Sequence, residues 1–114
     1  MSTDIQNFLS QVQAQQVAFS DVIAFIEARY THTPTAFKNG ANYNQTTENQ
    51  GSAKVLYFAQ LHDLTPEQTL PLFAEHYQSV LATPEATDHQ NIRQFMQHGW
   101  AGVQFEGVAL VTKA

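Results

Sequence analysis

Ser52-Ala53-Lys54-Val55-Leu56-Tyr57-Phe58-Ala59-Gln60-Leu61 is the stretch on which the fold class turns. Val55, Leu56, Tyr57, Phe58, Ala59 and Leu61 step round a helix at about 100° per residue and leave almost no polar side. A helix that is apolar all round is one that other elements surround. The segment therefore reads as the central helix of a mainly α domain, with Ser52 as its expected N-cap.

Working upstream, Thr3-Asp4-Ile5-Gln6 has the form of a capping box, and Ile5, Phe8, Leu9 and Val12 follow at helical spacing. A helix from about Asp4 to Ala14 is expected. Ser20 starts a second, with Asp21 favourable at its positive end and Val22, Phe25, Ile26 and Tyr30 on one side. It should stop near Tyr30, because the position before Pro34 is pushed out of the α region. From Thr31 to Gly51 the composition turns to Thr, Asn, Gln and Gly, with Asn39-Gly40 as the turn of a short hairpin between Phe37-Lys38 and Ala41-Asn42. Loops of this length are usually functional or mobile.

Downstream, Thr65-Pro66-Glu67-Gln68 supplies an N-cap, a proline at the first helical position and a capping-box Gln. Leu70, Phe73, Ala74 and Tyr77 continue that helix, and Pro71 should bend it. After the polar break from Thr83 to Thr87, Asp88 is the expected cap of a helix that runs to His98 and stops at Gly99, with Ile92, Phe95 and Met96 facing inward. In the tail, Val103-Gln104-Phe105-Glu106 alternates like a strand between Gly102 and Gly107 and is placed to pair with the Phe37 region. The expected architecture is about five helices packed round a central one, with a small two-strand β element. Residues 1–114 should form one compact domain.

Composition narrows the function classes. The chain has ten acidic residues against five basic ones, a formal charge of -5, and no two basic residues within five positions. Phosphate neutralisation needs clustered Lys or Arg, so neither nucleic acid nor an anionic membrane surface is an expected partner. No cysteine means no disulfide framework and no thiolate chemistry. The start of the chain lacks the pattern of a secretory signal peptide and no stretch reaches membrane-span length, so a soluble protein made in the cytoplasm is expected.

Three constellations are candidates for chemistry. His32, His62-Asp63 and Asp88 imitate the ligand order of all-helical metal-dependent phosphohydrolases, since imidazole and carboxylate suit a metal that activates water. His62-Asp63 precedes Leu64-Thr65-Pro66, however, and falls in a turn rather than on a rigid helix, so no metal or other cofactor is assigned. Asn49-Gln50-Gly51-Ser52-Ala53-Lys54 puts a hydroxyl and an ammonium at a helix start, where free N–H groups favour an anion. It lacks the glycine run of a P-loop, and the simpler reading is a Ser cap beside a solvated Lys. On the last helix His89 and Arg93 flank one edge of the apolar stripe, Asn91 and His98 the other. Trp100 reads as a core anchor.

Several of these segments together resemble the HopJ type III effector family: Thr33-Pro34-Thr35-Ala36-Phe37 with Asn39-Gly40, Asn49-x-Gly51-Ser52-x-Lys54, and Glu67-Gln68-Thr69-Leu70. Above all, Asp88-His89-Gln90-Asn91-Ile92-Arg93-x-Phe95-Met96 is followed by Gly99-Trp100-x-Gly102. The likeness covers nearly the whole chain. It implies a compact bacterial protein and delivery into a host cell by a type III apparatus, and it carries no assigned activity or catalytic residues to transfer. The chain departs from such secreted proteins at its N-terminus, where a capped amphipathic helix begins almost at once.

Two function classes follow. One is a binding or effector module for an unknown protein or small-molecule partner. The other is a small hydrolase with a His/Asp metal or phosphate site. The candidate ligand-binding residues are Ser52, Lys54, Asp88, His89, Asn91 and Arg93, and the Asp88–Arg93 and Gly51–Lys54 segments are expected to meet at one polar pocket.

Overall fold

The apolar run from Val55 to Ala59 lies on α3 (Gln50–Leu61), where Ala53, Val55, Leu56, Phe58 and Ala59 are completely buried. The structure, a computed structural model, describes residues 3–113. Among them the other helices are α1 (Thr3–Gln13), α2 (Phe19–Arg29), α4 (Pro66–Thr69), α5 (Glu75–Ala82) and α6 (Gln90–His98). The strands are β1 (Tyr30–His32), β2 (Phe37–Asn39), β3 (Asn42–Asn44), β4 (Val103–Phe105) and β5 (Leu110–Thr112). The protein is mainly helical with a small antiparallel β component.

Aromatic rings carry much of the packing. Phe8 of α1 stacks on Phe25 of α2 with ring centres 3.9 Å apart, and Phe25 and Tyr30 each present an edge-to-face contact to Phe58 of α3. Such pairs add stabilisation beyond the area they bury. Val22 and Ile26 complete the α2 side of the core, and Phe95 of α6 meets Trp100 edge to face. Trp100 also donates its indole N–H to Leu64 O at 2.7 Å, so the aromatic anchors the end of α6 to the turn after α3.

The β structure is larger than a two-strand element. β2 lies between β3 and β4, and β1 pairs separately with β5, all antiparallel. The tail does meet the Phe37 region, with Phe37 opposite Phe105. The hairpin strand after Asn39-Gly40 is Asn42–Asn44 rather than Ala41-Asn42, because Gly40 (φ +59°) and Ala41 are spent on the turn. The β1–β5 ladder joins segments about 80 positions apart, and neither has the alternating pattern that marks a strand.

Five local expectations need correction. Pro71 does more than bend its helix: α4 ends at Thr69, Leu70–Phe73 forms a 3-10 turn, and Ala74 (φ 52°, ψ −123°) separates it from α5. A proline there removes the N–H that would bond to Glu67 O and crowds that carbonyl. α2 begins at Phe19, one residue before the expected cap Ser20, and the Asp21 carboxylate accepts from Ala18 N–H at 2.9 Å. α3 begins two residues before Ser52, which lies inside the helix, and α6 is preceded by His89 rather than capped by Asp88. Met96 is exposed, not inward-facing. The Thr65–Gln68 capping box forms as expected, with reciprocal bonds of 2.9 and 3.1 Å.

Candidate functional site

The Asn-rich stretch from Asn39 to Asn49 folds onto the start of α6. Asn91 Oδ1 accepts from the side-chain amides of Asn39, Asn42 and Asn44 at 3.1 to 3.2 Å, and Asn91 O accepts a second bond from Asn39 at 2.7 Å. Asn44 Oδ1 in turn accepts from Asn49 at 2.7 Å and from Asn91 at 3.0 Å. Asn39, Asn44 and Asn91 are buried, and burial favours pairing of such amides, although Asn39 Oδ1 has no hydrogen-bond partner among the described residues. The knot therefore fixes three backbone segments relative to one another: the β2–β3 hairpin, the residue before α3, and the first turn of α6.

Above the knot opens a cleft of about 320 Å³. Its polar lining comes from Asn42, Asn49, Ser52, His76, His89, Gln90 and Asn91, and its apolar wall from Phe19, Phe73 and Ile92. Asn49 and His89, the residues before α3 and α6, both adopt left-handed backbone (φ 51°), and neither side chain bonds its own helix. The Asn49 amide is committed to Asn44, while the His89 ring faces His76 with centres 5.0 Å apart. Phe19 packs against His76 edge to face at 4.9 Å, and the Glu75 carboxylate accepts from Phe19 N–H at 2.7 Å. Backbone N–H bonds from Glu75 itself and from Phe19 hold that carboxyl below the usual carboxylate pKa.

Of the residues read from the sequence, Ser52, His89 and Asn91 meet in this cleft, as does Gly51. The charged ones do not line it. Lys54 is paired with Glu27 at 2.9 Å, and its hydrogen bond lowers the Glu27 pKa. Arg93 turns back on the 83–88 connection: it donates to Thr83 O at 2.9 Å, to Asp88 O at 2.6 Å and to Asp88 Oδ1 at 2.8 Å. This guanidinium holds the Asp88 carboxyl below its ordinary value and is what Asp88 binds in place of a helix end.

The residues of the metal-like pattern go to different partners. His32 Nε2 lies 3.2 Å from Gln50 Oε1, His62 Nε2 lies 2.6 Å from Tyr30 Oη, and Asp88 is held by Arg93. Asp63, in the turn after α3, has left-handed backbone (φ 52°). Among the described residues no group of three or more His, Asp or Glu side chains is arranged to hold a metal ion. His76, which the sequence shows only as a histidine beside the acid Glu75, and the hairpin asparagines were not assigned to a site from the sequence. The density of Asn between positions 39 and 49 was a usable signal, whereas nothing local to His76 announces that it meets His89.

The model of one protein family, HopJ type III effector protein, matches residues 5–110 of this chain. The chain belongs to the HopJ type III effector family. No curated protein matches it. It is similar to the crystal structure of VPA0580, a protein described as of unknown function: 43% identity, a TM-score of 0.90, and coverage of 99% of this chain and 97% of that one. The HopJ motif residues quoted from the sequence thus include seven that line the cleft: Asn49, Gly51, Ser52, His89, Gln90, Asn91 and Ile92. No described helix of this HopJ chain is long and apolar enough to cross a membrane.

Proposed function

We propose that this HopJ protein is a binding module, and that the cleft between the starts of α3 and α6 receives a small polar ligand. The observation that carries this reading is convergence: polar side chains from β3, α3, α5 and α6 line one cleft against an apolar wall, the usual make-up of a small-molecule site. The asparagine knot supports it by holding the cleft open in one shape, which reduces the ordering cost of binding. We also take α3 as the helix round which the others pack, so that its first turn is a rigid side of the cleft.

The alternative, a small hydrolase, is less well supported. Lys54 and Arg93, the cations that would stabilise an anionic transition state, are engaged by Glu27 and Asp88. The family's description as type III effectors supports delivery of the chain into a host cell, which a translocation reporter fused to it would read directly.

The binding reading is tested by NMR screening of a library of small polar molecules against the isotope-labelled protein. Shifts should gather at Gly51, Ser52, His89 and Asn91 and vanish in Ser52→Trp, which fills the cleft. Shifts that map instead to a second groove, lined by Gln16, Val17, Pro71, Tyr77 and Gln78, would relocate the site and reject this one.

A further inference from the structure

We propose that His76 and His89 form a two-imidazole site for one divalent transition-metal ion of the zinc class, opening on the same cleft. The two rings come from separate elements, His76 from the first turn of α5 and His89 from the residue before α6, yet their centres stand 5.0 Å apart at 37°. With metal–nitrogen bonds of about 2.0–2.1 Å, two imidazoles sharing one ion at a tetrahedral angle hold their ring centres about 5 Å apart. The observed separation of the ring centres is close to that value.

Two further observations favour an ion over a simple ring contact. Among the described residues neither ring makes a hydrogen bond to protein, and the exposed position of His89 leaves its ring open to an incoming ion. In addition, Asp88 Oδ2 lies 3.9 Å from His89 Nε2 while Oδ1 is held by Arg93. That places a negative charge beside one nitrogen of the His89 ring, which favours a cation there. Imidazole donors select zinc, copper or nickel over calcium or magnesium. Two protein ligands make a weak, exchangeable site, with the remaining positions taken by water or by a donor atom of a ligand in the cleft.

The inference deepens the proposed use of the cleft and shares its location, but the ion can be tested by itself. Metal-stripped protein is titrated with Zn²⁺ alone by calorimetry, and with Co²⁺ by its visible absorption. One ion should bind per chain. His89→Asn keeps a residue that tolerates left-handed backbone, and His76→Phe keeps a ring against Phe19. Each should weaken Zn²⁺ binding at least about tenfold, the loss already typical when a mere outer partner of a ligand is removed. His98→Asn should leave it unchanged. If a variant fails to fold, NMR of the unaltered protein decides, because Zn²⁺ must shift the ring Cε1–H signals of His76 and His89 and not those of the other histidines.

Unchanged affinity in the His76→Phe/His89→Asn double variant, or absence of binding up to about 1 mM Zn²⁺, overturns the site. The titration contains no organic ligand, so Zn²⁺ held by these two histidines supports the site even where the ligand screen returns nothing. Its absence removes the site even where the screen succeeds.

Discussion

Asn44 and Asn91 exchange side-chain hydrogen bonds across 47 positions of chain: Asn91 Nδ2 donates to Asn44 Oδ1 at 3.0 Å, and Asn44 Nδ2 donates to Asn91 Oδ1 at 3.2 Å. Each amide satisfies the other, and Asn39 and Asn42 add further donors to Asn91. Asn91→Ala leaves buried groups of Asn39 and Asn44 unpaired, and we expect a loss of about 2–4 kcal/mol. Asn42→Ala, at a half-buried position with bonds of 3.2 and 3.4 Å, should cost about 1 kcal/mol or less. Urea unfolding of the two variants checks this, and equal losses would mean that the knot adds nothing beyond its separate bonds.

Phe58 is completely buried and touches the rings of Phe25, Tyr30 and His62. Truncation at such a point leaves a cavity bounded by three elements that cannot all collapse into it. Phe58→Ala should destabilise the protein by about 3–5 kcal/mol, measured by chemical denaturation. A change under about 1 kcal/mol would contradict the burial of this ring.

Acid should destabilise the fold in a window set by histidines rather than carboxylates. Burial pushes the pKa of both His62 and His32 below the ordinary 6.5. The Tyr30 hydroxyl, whose own pKa burial raises, is hydrogen-bonded to the His62 ring. In the unfolded chain these imidazoles take up protons near pH 6.5, while the folded protein resists until lower pH. Their contribution is therefore present above pH 6.5 and is lost as pH falls through the depressed folded pKa values. The urea midpoint should fall between pH 7.5 and pH 5.5, and His62→Phe should flatten that dependence. An unchanged slope in His62→Phe would remove this histidine from the account.

Gly102 stands where chain segments touch. A Cβ there would meet His98 Cβ at 2.8 Å and the backbone nitrogen of Gly40 at 3.1 Å, and Gly40 N–H donates to Gly102 O at 2.9 Å. Neither neighbour is the far end of a flexible side chain. Gly102→Ala should cost about 1–3 kcal/mol through this overpacking, read as a lower thermal midpoint. Gly107→Ala, whose Cβ would meet Thr35 at an ordinary 3.7 Å, should change stability by less than half as much.

Elements whose cause lies within a few residues were legible in the sequence. The capping box at Thr65–Gln68 bonds groups three positions apart, Pro71 acts on the carbonyl of the preceding turn, and the Asn39-Gly40 turn needs only Gly40's freedom to take positive φ. The apolar run from Val55 to Ala59 likewise announced burial for Val55, Leu56, Phe58 and Ala59, although Tyr57 is only half-buried and Leu61, in the same apolar helix, is exposed. The HopJ motifs were readable for the same reason, each being a short local string.

What the tertiary structure alone decided is where polar side chains spend their hydrogen bonds. Asp88 read as an N-cap by sequence, and in the fold its carboxylate is taken by Arg93 instead. Lys54 could have faced an anion at its helix start and instead pairs with Glu27, 27 positions away. The partners in the asparagine knot, like His76 and His89, are brought together by the packing of separate elements. No propensity or period encodes such a meeting, since burial fixes that each of these groups must be paired but only the assembled core determines with whom.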